Sequence, residues 1–127
     1  MIMKKNPWIP LTREPTSDSG AVEARAGFPS DSKWLDGHFP DNPVAPGVAL
    51  LALILEVAGR ELEKENRPVF GFTLKKIKFK QIVSPDQELS VRLTRGQADS
   101  GSEFSFDISR NGSSVCSGVI ILEHNSD

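Results

Sequence analysis

One helix candidate constrains this chain more than any other feature. From Val48 to Leu55 every residue is apolar (Val-Ala-Leu-Leu-Ala-Leu-Ile-Leu). A helix there is hydrophobic on all sides, and such a helix must be enclosed by other elements. Further along, Arg60, Glu61, Glu63, Lys64 and Glu65 make the segment polar, and Asn66–Pro68 is a stop signal. The pattern predicts one helix from Gly47 to about Asn66, wrapped in its first half and emerging into solvent in its second. The apolar run is far short of the roughly 20 residues that span a bilayer, so the cover has to be protein.

The remaining periodicity supplies that cover as strands. Val22, Ala24, Ala26 and Phe28 alternate with Glu23 and Arg25, which predicts a strand with one buried face. After the helix, Phe70, Phe72 and Leu74 alternate, and the phase then slips at Lys75–Lys76 to Ile77 and Phe79. A one-residue slip in a period-two pattern predicts a β-bulge. Leu89, Val91 and Leu93 follow, then Phe104, Phe106 and Ile108, then Val115–Leu122. Asn111–Gly112 predicts a type I′ hairpin turn. Residues 1–20, rich in Pro, Ser, Thr and charge, read as an irregular arm, and 21–127 as a single domain. The expected class is α+β, an antiparallel sheet wrapped around one long helix. One sheet with open edges predicts self-association.

Immediately before the helix the chain reads Gly-His-Phe-Pro-Asp-Asn-Pro-Val-Ala-Pro-Gly, from Gly37 to Gly47. Pro40, Pro43 and Pro46 exclude helix and central strand, leaving a stiff extended loop that carries His38. The first N–H groups of a helix have no intrahelical acceptor, so His38 lies close in sequence to a cluster of oriented donors. A base beside such donors suits a reaction through an enolate-like intermediate.

Composition narrows the classes. At 127 residues and 13.9 kDa this is one domain by length. A net charge of −2 and a pI near 5.7 argue against a nucleic-acid binder. The single cysteine, Cys116, reads as a small buried hydrophobe, and with two distant histidines it offers no metal-ligand spacing. Asn6–Pro15 lacks the apolar core of a signal peptide, so a cytoplasmic protein is expected.

The Gly37–Gly47 stretch, the helix after it and Lys78–Glu88 (Lys-Phe-Lys-Gln-Ile-Val-Ser-Pro-Asp-Gln-Glu) resemble the hotdog-fold 3-hydroxyacyl–acyl carrier protein dehydratases of fatty-acid synthesis. The resemblance covers roughly residues 21 to 123. It implies a hotdog fold and a dimer with interfacial active sites, often assembled as a trimer of dimers. It also implies an acyl thioester substrate carried by acyl carrier protein or CoA, and no cofactor. His38 corresponds to the catalytic base, and Gly47 to the residue whose N–H binds the thioester carbonyl. Phe39, Pro46 and Val48 flank these two and are the substrate-lining candidates, with Phe39 open to a core role as well. The family's second catalytic residue is a Glu or Asp of the partner subunit, and the matching position here is Ala52. In that departure the chain resembles dehydratase-like members of aryl polyene and other specialised polyketide-type pathways.

Glu56 lies one turn beyond Ala52, between Leu55 and Val57. An ionised carboxylate in such a helix needs a raised pKa or a partner. It is either a displaced catalytic carboxyl or a partner of Arg60 at i+4. Lys76, Lys78 and Lys80 form either a solvated face or a docking surface for an acidic carrier protein. The leading expectation is a dehydratase, and the alternatives are a hotdog thioesterase and a non-catalytic acyl-binding or assembly partner.

Overall fold

The computed structural model of the chain describes residues 11–18, 20–35, 45–96 and 101–124. Six strands and one long helix follow in the order β1 (Leu11–Asp18), β2 (Ala21–Ala26), α1 (Gly47–Glu63), β3 (Val69–Phe79), β4 (Leu89–Arg95), β5 (Gly101–Arg110) and β6 (Ser113–His124), with a 3-10 turn at Lys33–Leu35. All strands pair antiparallel in one sheet of order β1-β2-β4-β5-β6-β3.

The inner face of that sheet is read directly from register. Val22 pairs with Leu93, Leu93 with Phe106, Phe106 with Gly118, and the flanking inward positions are Ala24, Val91, Ile108 and Cys116. Directly opposed residues point to the same side, so these form one apolar surface. Against it α1 lays Leu50, Leu53, Ile54 and Val57, all at most 2% exposed. The helix is enclosed on this side, as its apolar sequence requires, and sheet and helix share one core. Its end is a Schellman motif: Asn66 takes φ 56°, the Arg67 N–H donates to the Leu62 carbonyl (3.1 Å) and the Asn66 N–H to the Glu63 carbonyl (3.0 Å). Pro68 then forbids continuation.

Two predicted irregularities are present. Lys75 opposes Val119 and Lys78 opposes Ser117, so Lys76 and Ile77 together face Gly118, and Lys76 sits at φ 56°. That is the bulge. It also changes the lysine face: Lys75, rather than Lys76, keeps the outward phase of Lys78. The Asn111–Gly112 turn has positive φ at both residues (51° and 81°), as a type I′ turn demands.

The expectation of an irregular arm is corrected over residues 11–18, which form the edge strand β1. An edge strand needs ladder bonds on one side only, so it tolerates Pro15 and two register shifts against β2. Most of its described side chains are exposed, so composition alone read it as loop. Leu11, 8% exposed, anchors it to the core, and the Ser17 hydroxyl lies against the Glu61 carboxylate (2.7 and 2.9 Å), tying it to α1.

A methyl added at Gly118 would lie 2.5 Å from Ile77 Cδ1 and 3.0 Å from the Phe106 ring. Gly118→Ala is therefore expected to destabilise the fold by about 1–3 kcal/mol in urea denaturation, the usual cost of overpacking. Adding Ile77→Val removes Cδ1 and should recover part of that loss. An unchanged midpoint for Gly118→Ala would contradict the packing described.

Candidate functional site

The start of α1 is built by backbone contacts. The Ala45 N–H donates to the Val83 carbonyl at 2.8 Å, which pins the incoming chain to the segment between β3 and β4. Pro46, the N-cap, has φ −69° and ψ 154° and no side-chain cap bond, and the first turn holds no acidic residue. The Ala49 N–H donates back to the Pro46 carbonyl at 2.9 Å. The positive end of the helix dipole thus meets no carboxylate from its own first turn. Gly47 lets the Phe79 ring approach closely, since a Cβ would lie 2.9 Å from its Cε1 and Cζ and the ring would have to shift. Phe79, itself 54% exposed, roofs the helix start.

Of the residues singled out in the sequence, Pro46 and Gly47 are half-buried at this point and Val48 is 59% exposed. His38 and Phe39 lie outside the described residues. Sequence reasoning did not foresee the contact between Phe79 and Gly47. The available signal was Phe79 itself, placed at the end of the bulged strand in the inward phase.

Along α1, Val48, Ala52 and Gly59 recur at helical spacing, exposed or half-buried, and half-buried Leu55 beside them packs against the edge of the core. On β3 the inward residues Phe72 (50% exposed) and Phe79 remain open. Among the described residues, helix and edge strand thus leave an apolar flank uncovered, and Ala52 is on it. Glu56 stands one turn on, and its Oε2 accepts from Arg60 Nε at 2.5 Å, with the two side chains 30% and 23% exposed. This is the i+4 pairing that the sequence allows, and it supplies the partner that a carboxylate in this helix needs.

Among the described residues no group of three or more His, Cys, Asp or Glu is arranged to hold a metal, and no helix is long and apolar enough to cross a membrane. Cys116 is fully buried, and burial pushes its thiol up to about 11, with Asp107 adding to the shift.

A single sheet curved around one central helix is the hotdog fold. The family model for ApeI-like proteins (ApeI dehydratase) matches residues 14–119. The chain therefore belongs to the ApeI-like dehydratase family. Curated relatives include the 3-hydroxyacyl-acyl-carrier-protein dehydratase FabZ of Streptococcus suis, 42% identical over 44% of this chain and 43% of that protein. FabZ of Oenococcus oeni is 33% identical over 58% of this chain and 55% of that one. The chain thus spans about half the length of the curated relatives it matches. Among solved structures, the dehydratase heterocomplex ApeI:P from Xenorhabdus doucetiae superposes with a TM-score of 0.69 at 19% identity, covering 90% of this chain and 97% of that one. That likeness shows the fold.

The buried thiol gives a pH prediction. Its folded pKa of about 11 lies above the ordinary 9.0, so the folded state holds the proton longer than the unfolded chain. The contribution to stability is complete below pH 9 and is lost as pH rises through about 11. Iodoacetamide at pH 8 should leave Cys116 unmodified in the native protein and alkylate it in denaturant, as read by intact mass. Rapid native alkylation would show a reachable thiolate.

Proposed function

We propose that this chain is a dehydratase-like enzyme acting on 3-hydroxyacyl thioesters carried by acyl carrier protein or CoA. The observation that carries the reading is the start of α1, a helix end without a side-chain cap at Gly47, directly after the Pro-framed His38 and inside the family match. In this reading His38 removes the α-proton, and the Gly47 N–H stabilises the developing enolate oxygen. Phe39, Pro46 and Val48 line the acyl path. The hydroxyl leaves as water after protonation by an acid. The thioester already acidifies the α-carbon, so no cofactor enters.

The source of that acid depends on the partner. The uncharged first half of β3 (Val-Phe-Gly-Phe-Thr-Leu, 69–74) and the open stripe of α1 favour association through this flank. A second copy brings another Ala52, which leaves Glu56, directly or through a held water, as the acid. A second reading is favoured by Ala52 itself. In it the working unit pairs this chain with a different hotdog chain that brings a carboxylate, as a heterocomplex like that of the X. doucetiae protein would allow.

Incubation with 3-hydroxyacyl and saturated acyl thioesters separates the alternatives. Enoyl product supports the dehydratase, free thiol the thioesterase, and neither product a binding or assembly role. His38→Ala should abolish turnover with thermal stability nearly unchanged, and unchanged activity in that variant would sink the enzymatic reading. Ala52→Glu should raise the rate of the chain assayed alone. Glu56→Gln should lower it by the 10²–10⁴-fold typical of lost general acid catalysis if Glu56 is the acid. If Glu56 only pairs with Arg60, stability should shift by a few tenths of a kcal/mol and the rate should stay the same.

Sedimentation should find at least a dimer at micromolar concentration, and Phe72→Asp should release monomer. A stable wild-type monomer would contradict association through this flank.

A further inference from the structure

One charged clamp lies outside the chemistry described so far. Arg110 ends β5 beside the Asn111–Gly112 turn. From Nη1 it donates to the Ile82 carbonyl and to Gln87 Oε1, each at 2.8 Å, and from Nη2 to Gln81 Oε1 at 2.6 Å. All three acceptors belong to the 80–88 segment that joins β3 to β4. A guanidinium presents donors in a rigid fork and can hold three acceptors at once, which a lysine ammonium on a flexible stem reproduces poorly.

The ends of the segment are secured by other means. The Lys80 N–H donates to the Val115 carbonyl at 2.7 Å, and the Asp86 N–H to the Phe28 carbonyl at 2.8 Å. Within it, Gln87 Oε1 also accepts from the Ser84 N–H at 3.0 Å, so Arg110 grips both sides of a small internal turn. Between Ile82 and Ser84 lies Val83, 1% exposed, whose carbonyl receives the Ala45 N–H. Two residues after Ala45 comes Gly47. A continuous line of short bonds therefore runs from the β5–β6 hairpin through Arg110 and Val83 to the helix start.

We propose that Arg110 is a positioning residue: by clamping the 80–88 segment it sets where Val83 holds Ala45, and so where the Gly47 N–H points. The geometry stands by itself, and the catalytic consequence rests on the dehydratase reading. An oxyanion donor is useful only when held within about 0.5 Å of its productive position, so a loosened anchor acts on kcat more than on KM.

The test uses the full chain with Arg110→Ala, Arg110→Lys and Gln87→Ala, and Arg92→Ala as control, since Arg92 pairs with Glu23 in an exposed contact on the outer face. Amide exchange by NMR at Ala45 should accelerate about tenfold or more in Arg110→Ala while Leu53 and Val91 stay protected. The kcat on a 3-hydroxyacyl thioester should fall about tenfold or more with KM within about threefold. Arg110→Lys should resemble Arg110→Ala, Gln87→Ala should fall between Arg110→Ala and wild type, and millimolar guanidinium should restore part of the lost kcat in Arg110→Ala. Arg92→Ala should change none of these.

Unchanged exchange at Ala45 in Arg110→Ala and Gln87→Ala would overturn the clamp. Faster exchange with unaltered kcat, in a protein whose wild type turns over, would overturn its role in positioning. A wild type inactive on every 3-hydroxyacyl thioester would defeat the dehydratase reading, and Ala45 exchange would still decide the clamp.

Discussion

Everything in this molecule depends on enclosing a helix that cannot stand in water. Leu53, Ile54 and Val57 are fully buried, and each contributes about 1.5–3 kcal/mol by leaving solvent. The ion pairs across the sheet's outer face, Arg25 with Glu88 and Arg92 with Glu23, are exposed and are worth at most about 1 kcal/mol each. The core therefore decides the fold, and the charges decorate it. Enclosure also dictates detail. Where β3 bulges at Lys76 and Ile77, Gly118 opposite is the residue without a side chain to collide with Ile77.

Much of this was legible in the sequence because the physical signals were local. The all-apolar run gave the helix, Asn66–Pro68 its end, Asn111–Gly112 the hairpin, and the slipped alternation the bulge. Strand β1 was not legible, because an edge strand with one ladder partner imposes little on composition, and Pro15 argued against it. The lysine phase on β3 was misread for a related reason: a bulge reverses parity, and only pairing with β6 shows which lysine is displaced.

The site was legible in part. Gly47 could be placed at the helix start from its neighbours, and Glu56 was read as either a displaced acid or a partner of Arg60. The Arg60 pairing is present in the structure. Phe79 over Gly47, Val83 holding Ala45, and Arg110 holding the segment around Val83 bring together residues more than twenty positions apart in sequence. No periodicity records such contacts. The direction of this helix end is set by a ring contact, a backbone bond and a guanidinium fork from elements far along the chain.

The two margins of the sheet differ in kind. β1 is interrupted twice in register and carries Pro15, so it offers a newcomer a broken row of donors and acceptors. β3 is longer and begins with six uncharged residues. A sheet with one receptive margin has a valence of one. Two such chains meeting margin to margin would use up the receptive margin of each, and the ribbon would close at a pair instead of extending into a fibre.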